Sequence, residues 1–356
     1  MIGAGTGIGY GRSAISSLGP RGETAAPAER LELSSADAER ARAARIKVGI
    51  VLHTADSDWS KQQVDGISGA LDDYRGEIID MIDSRFDPDR QTAALETLIR
   101  ARPDAIISIP VDGTATADAH RKVQAAGIAL VLMDNVPRGL QPGTDYATVV
   151  SADNRGNGSI AAEALAHHVP RGGALGIIGF GVDFFATDER EAAFRTWFRD
   201  RRPDVTVEGA DFRDPSEAGR VATAFLASHP ETDALFVVWD APAMDAVRAA
   251  RALGRDVAIT TIDLGEEVAI ELAAGGFVKG LGAQQPYDQG VAEALAAINA
   301  SLGNQPPSWV AVRALAVTRD NVLEAFERVW HAPPSAALRR ACAAATITVP
   351  ADSGAH

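Results

Sequence analysis

The 356-residue sequence predicts an α/β fold made of two similar, doubly wound lobes, each built on a parallel sheet. From Ile46 to about residue 330, apolar runs of strand length alternate with amphipathic stretches of helix length. This alternation is typical of parallel sheets that carry helices on both faces and are joined by right-handed crossovers. It occurs in two series, each about the size of one flavodoxin-like unit, which indicates two lobes.

The first series predicts four strands, which are "IKVGIVL", "EIIDMI", "DAIISI" and "IALVLM". Its helices are predicted at about residues 59–74, 89–101 and 114–126. The second series predicts six strands, which are "YATVVS", "ALGIIGF", "DVTVEG", "ALFVVW", "VAITTI" and "FVKGLGA". Its helices are predicted at about residues 154–168, 187–201, 216–228, 242–254, 265–274 and 287–302. A strand near 309–317 and a helix near 319–330 complete the pattern.

The two ends of the chain differ from this pattern. Residues 1–45 open with "MIGAGTGIGYG" and are rich in Gly, Ala, Pro and Ser, which predicts a flexible leader with a short helix capped at Ser35. The alternating glycines lack the spacing, the preceding strand and the following helix of a dinucleotide-binding loop, so no phosphate site is expected there. Residues 333–356 are rich in Ala and Pro and are expected to be peripheral.

Composition and charge exclude several classes of function. The net charge of −14 argues against a nucleic-acid surface and against anionic membrane, but it is compatible with a neutral ligand. Cys342 is the only cysteine, which excludes an intrachain disulfide and a cysteine metal cluster. No apolar run reaches the roughly 18 residues of a membrane-spanning helix, and no secretory signal is evident. The sequence has no hydrolase, zinc-protease or P-loop motif, so we expect no catalytic residue, metal or cofactor.

Polar and aromatic side chains follow many of the predicted strands, at the point where each strand ends. The run "GIVL" leads to "HTADSDW", "LVLM" leads to "DN", and "LFVV" leads to "WD". Because ligands of open parallel sheets bind beyond the carboxyl ends of the strands, we expect these side chains to form one site. The candidate ligand-binding residues are Ser57, Asp58, Trp59, Asp134, Asn135, Arg190, Phe212, Trp239, Asp240, Asp263 and Gln284.

This set of acids, amides, one arginine and aromatic rings suits a polyhydroxylated ligand. A carboxylate accepts from adjacent hydroxyl groups, arginine donates in a fixed fork, and aromatic faces cover the C–H faces of a sugar. Structural interpretations stay open beside this one. Asp240 and Asp263 also suit helix N-caps, Trp59 and Trp239 also suit the core, and Arg190 also suits a pair with an acid of its own helix.

Four stretches carry a family resemblance, and they are "VVSADNRGNGSIAAEAL", "EREAAF", "FVVWDAPAMDAVRAARALGRDVAITTIDLG" and "GAQQPYDQG". Through them, residues 46–330 resemble the periplasmic sugar-binding proteins of the ribose, allose and galactose type, whose fold is shared by the ligand-binding core of the lactose-repressor family. The resemblance implies the type I periplasmic-binding-protein fold, in which a three-segment hinge joins the lobes. The crossings are then expected near residues 151–153, 284–287 and 311–316.

The resemblance also implies domain boundaries. The expected parts are a leader at residues 1–45, an N-terminal lobe at 46–151 plus 286–312, a C-terminal lobe at 153–284 plus 315–332, and a tail at 333–356.

Several candidate residues match positions that bind sugar in the family. Trp59 matches the stacking aromatic residue of the first loop, and Asp134 with Asn135 matches the pair that grips the sugar after the fourth strand. Arg190 matches the arginine that contacts the ring oxygen. If the resemblance holds, each lobe contributes half of the hydrogen bonds to the ligand.

The second lobe combines matches with departures. Phe212 matches its aromatic residue, and Asp263 with Gln284 matches the closing carboxylate and amide. Trp239 stands where the family has asparagine, which removes a polar contact and adds a large apolar face. Ala193 replaces a glycine and is expected to change only packing. A sugar or sugar alcohol should still fit, with a different set of hydroxyl groups recognised.

We therefore expect the solute-binding protein of a carbohydrate ABC importer, without catalysis, whose lobes close around the ligand by hinge motion. Its partners would be a small neutral sugar or polyol and the permease in the membrane, with no nucleic acid, and the protein would be a monomer located outside the cytoplasm. The alternative is the sugar-responsive effector core of a lactose-repressor-type transcription regulator. That alternative needs a basic helix-turn-helix ahead of the core, which residues 1–45 do not resemble.

Overall fold

Residues 14–347 are the part of the chain that the computed structural model describes, with the side chains of 345–347 excepted. Its strands are β1 (Ala26–Pro27), β2 (Lys47–Leu52), β3 (Glu77–Asp83), β4 (Ala105–Ser108), β5 (Ala129–Met133), β6 (Thr148–Ala152), β7 (Ala174–Phe180), β8 (Thr206–Phe212), β9 (Thr232–Val237), β10 (Ala258–Ile262), β11 (Val278–Ala283), β12 (Trp309–Val312) and β13 (Leu315–Val317). Its α-helices are α1 (Ser35–Ala44), α2 (Asp58–Asp73), α3 (Pro88–Ala101), α4 (Ala117–Ala125), α5 (Asn154–Ala166), α6 (Phe185–Arg201), α7 (Ala218–Ser228), α8 (Asp240–Ala252), α9 (Glu266–Ala273), α10 (Pro286–Ser301), α11 (Val322–Trp330) and α12 (Ala336–Ile347).

The strands form two sheets, one in each lobe. The N-terminal sheet has the order β1-β12-β6-β5-β4-β2-β3, and all its strands are parallel. The C-terminal sheet has the order β13-β11-β10-β9-β7-β8, and only β13 is antiparallel to its neighbour. Within each sheet the first five strands of the lobe follow the doubly wound order 2-1-3-4-5. The predicted fold class is confirmed.

The burial pattern of each strand reflects its position in the sheet. The central strand β2 has five consecutive buried residues from Val48 to Leu52, because helices cover both faces of the sheet. The outer strands β3 and β8 instead contain exposed residues, among them Glu77, Asp80 and Glu208, which discourage pairing with another sheet at those edges. Helices α2 and α10 cover one face of the N-terminal sheet, whereas α3 and α4 cover the other.

The chain passes between the lobes three times. It leaves the N-terminal sheet after β6, returns after β11, and leaves again between β12 and β13. The helices that follow the first two crossings also change lobe, since α5 packs on β10 and β11 whereas α10 packs on β4, β5 and β6. The strand predicted near 309–317 is therefore two strands, because its first half belongs to one sheet and its second half to the other.

Residues 14–45 differ from the flexible leader that their composition predicts. Strand β1 pairs with β12, and Leu31 is buried, its carbonyl accepting from Asn299 Nδ2 at 2.9 Å. Helix α1 is capped by Ser34 rather than Ser35. The contacts of β1 and Leu31 are with residues far along the chain, so the local composition does not reveal them. Residues 1–13, which contain the alternating glycines, lie outside the described residues.

The segment after residue 333 also differs from a peripheral tail, at least as far as residue 347. It forms α12, which packs against α9 and buries Leu338 completely. Residues 348–356 lie outside the described residues. Within residues 14–347, no helix has the length and apolarity needed to cross a membrane.

Candidate functional site

A cleft of about 460 Å³ lies between the lobes, at the carboxyl ends of both sheets. This is where the reversal of strand order in a doubly wound sheet leaves room for a ligand. Nine of the eleven candidate residues line it. They are Ser57, Asp58, Trp59, Asp134, Arg190, Trp239, Asp240, Asp263 and Gln284.

Asp134 and Asp263 occupy equivalent positions in the two lobes. Each directly follows the fourth strand of its sheet, and each amide donates to the neighbouring strand, to Val150 O and Gly282 O respectively, at 3.0 Å. Both have left-handed backbones, with φ of 51° and 73°. This region is unfavourable for residues with a Cβ but tolerable for aspartate, and such strain is concentrated at functional sites. The geometry turns both carboxylates toward the cleft.

Arg190 on α6 is the buried cation of the cleft. Its Nε donates to Asn154 Oδ1 at 2.8 Å, its NH1 donates to Val238 O at 3.1 Å, and NH1 lies 4.0 Å from Asp263 Oδ2. Its side chain is only 5% exposed. These partners rule out the alternative in which Arg190 pairs with an acid of its own helix.

A chain of hydrogen bonds connects Asp134 in one lobe to Arg190 in the other. Ser151 Oγ donates to Asp134 Oδ1 at 2.7 Å, Asn154 Nδ2 donates to Ser151 Oγ at 3.0 Å, and Asn154 Oδ1 accepts from Arg190. Ser151 and Asn154 flank the first crossing between the lobes. The polar groups of the cleft are thus bonded directly to the hinge.

The Asp263 carboxylate has two favourable neighbours. Gln284 Nε2 donates to its Oδ1 at 2.6 Å, and Arg190 lies beside its Oδ2. Burial nevertheless raises the pKa of Asp263, against the opposing effect of Arg190 and Gln284. The pKa of Asp134 is raised by burial in the same way, although Ser151 and Arg190 oppose the rise. In both carboxyl groups the loss of hydration on burial outweighs the hydrogen bonds and the charge of Arg190 that favour the ionised form.

Asp240 is the first residue of α8, and its Oδ1 accepts from the Ala241 amide of the same helix at 2.8 Å. Its Oδ2 accepts from the Gly265 amide at 2.9 Å, which links the start of α8 to the start of α9. Burial and the nearby charge of Asp263 raise the pKa of Asp240 to about 7. The helix-cap interpretation therefore describes Asp240, whose carboxylate accepts from amides at the starts of α8 and α9, but not Asp263, whose carboxylate is bonded to Gln284.

Aromatic rings form the walls of the cleft. In the N-terminal lobe, His53 packs edge to face with Trp59 at 5.5 Å and with Phe86 at 4.9 Å between ring centroids. In the C-terminal lobe, Phe180 packs against Trp239 at 5.3 Å. Burial lowers the pKa of His53 to about 4, so its ring is neutral at neutral pH. The aromatic part of the lining is therefore uncharged.

Three buried polar atoms of the cleft have no hydrogen-bond partner within the described residues. They are His53 Nδ1, Trp59 Nε1 and Gln284 Oε1. A buried donor or acceptor without a partner costs about 1–3 kcal/mol, so a ligand that reached these atoms and supplied both donors and acceptors would be stabilised by them. Hydroxyl groups do both.

Asn135 and Phe212 are the two candidates that do not line the cleft. Asn135 is buried, its Nδ2 donating to Pro110 O at 3.0 Å and its Oδ1 accepting from the Phe185 amide of the other lobe at 3.2 Å. Phe212 is fully buried behind the wall, with its ring 5.2 Å from that of Trp239. Asn135 thus joins the lobes, and Phe212 supports the aromatic wall.

Sequence reasoning did not select several residues that line the cleft. The aromatic and polar residues among them include His53, Asp56, Phe86, Phe180, Phe184, Thr187, Glu266 and Glu267. Half of them lie in the loops that follow strands, and the others end β7 or lie in the first turn of α6 or α9, so the strand-end rule pointed to the right regions. What the rule lacks is the path of each loop, which decides which side chains turn inward.

The fold and its interlobe cleft define a two-lobed binding protein. Residues 48–305 match the sequence model of the family described as "Periplasmic binding protein domain", and the chain belongs to this family. It is 29% identical over 189 residues to the ribose import binding protein of Bacillus subtilis. This match covers 53% of this chain and 60% of that protein. It is 27% identical to the D-ribose/D-allose-binding protein of Pseudomonas aeruginosa, over 63% of this chain and 72% of that protein.

Solved structures show the same fold. An ABC transporter solute-binding protein of Agrobacterium vitis, bound with α-D-tagatopyranose, superposes with a TM-score of 0.72 and 21% identity, over 78% of this chain and 96% of that one. An ABC transporter solute-binding protein of Bacillus halodurans with bound myo-inositol has a TM-score of 0.70 and 23% identity, over 80% and 98% of the two chains. At these levels of sequence identity, the structural similarity establishes the fold alone.

Proposed function

We propose that this protein is the solute-binding protein of a carbohydrate ABC importer and that it binds a monosaccharide or sugar alcohol between its lobes. The observation that carries the proposal is the convergence of Asp134, Arg190, Asp263 and Gln284 from both lobes on one cleft. Carboxylates that accept, a guanidinium that donates and an amide that does both are the groups needed to bind adjacent hydroxyls.

The aromatic walls support a carbohydrate ligand of small size. Trp59 and Trp239 come from opposite lobes and present large apolar faces, which can cover the C–H faces of a ring or of an extended polyol. A cleft of about 460 Å³ suits a ligand of this size. The sugar-binding relatives and the ligands named for the solved structures support the same class of ligand.

Closure of the lobes would be driven by the ligand. Because the hydrogen-bond chain from Asp134 to Arg190 runs through Ser151 and Asn154 at the hinge, a ligand that bridges the two lobes favours one hinge geometry. The closed form would then present the combined surface of both lobes to a permease. Such a partner places the protein outside the cytoplasm, and we expect it to act as a monomer.

The runner-up is the effector core of a transcription regulator, which has the same fold. The relatives named for ribose and allose import favour the transport function.

The test is a ligand screen by thermal unfolding, with pentoses, hexoses, deoxysugars and C4–C6 alditols. We expect at least one ligand to raise the melting temperature, since binding to the folded state alone is stabilising. Titration calorimetry with that ligand then compares Arg190→Ala with Arg195→Ala. Arg195 lies on the same helix but pairs with Glu191 outside the cleft, at 2.7 Å.

Arg190→Ala should weaken binding by about 2 kcal/mol or more, roughly thirtyfold, because it leaves buried acceptors unpaired. Arg195→Ala should bind like the wild type. A screen without any shift would overturn the proposed ligand class, and equal binding by both variants would overturn the proposed site.

A further inference from the structure

The cleft contains many more acids than bases. Seven carboxyl groups line it, and Arg190 is its only cation among the residues described, since His53 is neutral. The seven are Asp56, Asp58, Asp134, Asp240, Asp263, Glu266 and Glu267. A neutral sugar leaves most of this negative charge without a counterion.

Surface cations do not correct the imbalance. Lys61 Nζ lies 3.5 Å from Asp58 Oδ1, and Arg248 NH1 lies 2.9 Å from Glu267 Oε1, but both cations are more than half exposed and lie outside the cleft. Exposed pairs of this kind are screened by solvent and contribute little. Arg190 is beside Asp263, so Asp240 is left without a cation within ion-pair distance in the described part of the chain.

Two carboxylates from opposite lobes approach the same point. A Cβ placed on Gly265 would touch Asp240 Oδ2 and would lie 3.8 Å from Asp58 Oδ2. Asp58, Trp59, Asp240 and Asp263 line one small recess there, beside the main cleft. Bringing the lobes together therefore brings like charges together, which opposes closure unless a positive charge comes between them.

We propose that the ligand is a polyhydroxylated molecule that carries a protonated amine, such as an amino sugar or an amino alditol, and that its ammonium group binds between Asp58 and Asp240. The inference rests on the proposed sugar-binding function and narrows its ligand class away from the neutral sugar that the sequence led us to expect. The ammonium group donates to both carboxylates, and the indole of Trp59 adds a favourable aromatic face.

The raised pKa of Asp240 agrees with this arrangement. Its causes are burial, then the charge of Asp263, with a smaller contribution from Asp58, and an ammonium ion would counter the two charge effects. A bare metal ion does not fit as well. Within residues 14–347, no three His, Cys, Asp or Glu side chains are grouped closely enough to hold one.

The experiment uses matched pairs of ligands that differ only at one position. Each 2-amino-2-deoxyhexose is compared with its hexose and with its N-acetyl derivative, and each 1-amino-1-deoxyalditol is compared with its alditol. Calorimetry is done at a pH at which the free amine is protonated. We expect at least one amine to bind about tenfold or more tightly than its neutral counterpart, since charged hydrogen bonds are the stronger ones.

Variants locate the ammonium group. Asp240→Asn and Asp58→Asn should each reduce severalfold the ratio of the affinity for the amine to the affinity for its neutral counterpart. Asp65→Asn, an exposed position on α2, removes the same charge outside the cleft and should keep the preference. Thermal unfolding without ligand verifies that all three variants are folded.

The outcomes separate the two proposals. If neutral sugars or alditols bind as tightly as their amines, the amine proposal fails and the proposed function stands. If the preference survives in both Asn variants, the assigned position of the ammonium group is wrong. If neither series binds, the proposed function fails, and the amine proposal with it.

Discussion

Glu293 on α10 provides a test of how this protein tolerates charge in its interior. Its side chain is fully buried, and neither carboxyl oxygen has a hydrogen-bond partner in the described chain. Burial raises the pKa of Glu293 well above its usual 4.5, and the nearby Asp134 raises it further. We therefore expect the folded protein to keep Glu293 protonated at pH values where the unfolded chain has released that proton.

The sign of the pH dependence follows. Below pH 4.5 the carboxyl group is protonated in both states and has no differential effect. Above it, the unfolded chain gains from ionisation and the folded chain does not, so the free energy of unfolding falls by about 1.4 kcal/mol per pH unit until the folded pKa is reached. Glu293→Gln keeps the shape of the side chain but removes the ionisable carboxyl group. The decline of stability with pH that Glu293 causes should therefore disappear in this variant.

Urea unfolding followed by tryptophan fluorescence measures the effect. The stability of Glu293→Gln relative to the wild type should rise by about 1.4 kcal/mol per pH unit from pH 4.5 upward, until the folded pKa of Glu293 is reached. Glu163→Gln on the exposed surface of α5 is the matched control for loss of a surface carboxylate. A difference between variant and wild type that is constant with pH would show that Glu293 is ionised in the fold, and the reasoning from burial would be wrong.

Three further predictions concern the hinge and the cleft. Asp153→Asn should lower the free energy of unfolding by about 1–2 kcal/mol, because its carboxylate caps α5 and accepts from Ser16 and Ser17; an unchanged urea midpoint would contradict this. Ser151→Ala removes a hydrogen bond that favours the charged form of Asp134, so the pKa of Asp134 should rise further. As the pH is lowered, the loss of ligand affinity should then begin at a higher pH in this variant than in the wild type, which calorimetry across pH can detect. Arg138→Ala breaks an exposed interlobe pair with Asp183 at 2.8 Å and should change ligand affinity less than about threefold.

The alternation of apolar runs was enough to predict the two sheets, because parallel strands buried on both faces must be apolar throughout. It could not predict β1, which has two residues and exists through its pairing with β12, nearly three hundred residues away. The same limit applies to α12, whose burial of Leu338 depends on α9. Such segments are stabilised by distant contacts that leave no periodic signal in the local sequence.

The site was predictable to the level of strand ends and no finer. Asp134 and Asp263 could be found because they directly follow buried strands, where position alone determines that a side chain reaches the edge of the sheet. Phe212 also ends a strand, but it ends an edge strand with its side chain toward Phe180 and Trp239, so it lies behind the wall. Glu293 has no local signal, because a glutamate within a helix is ordinarily exposed.

Recognition and hinge motion depend on the same residues. Ser151 and Asn154 belong to the first crossing, Gln284 belongs to the second, and all three are bonded to residues that line the cleft. A ligand that binds Asp134 or Asp263 would therefore be connected to the hinge through the hydrogen bond of that residue to Ser151 or Gln284. The negative charge of Asp58 and Asp240, which we propose to oppose closure, lies in the recess that Asp263 and Gln284 also line. In the proposed complex the ligand's hydroxyl groups would fix the hinge and its ammonium group would remove the repulsion, so neither part of the ligand alone would close the lobes as well as both together.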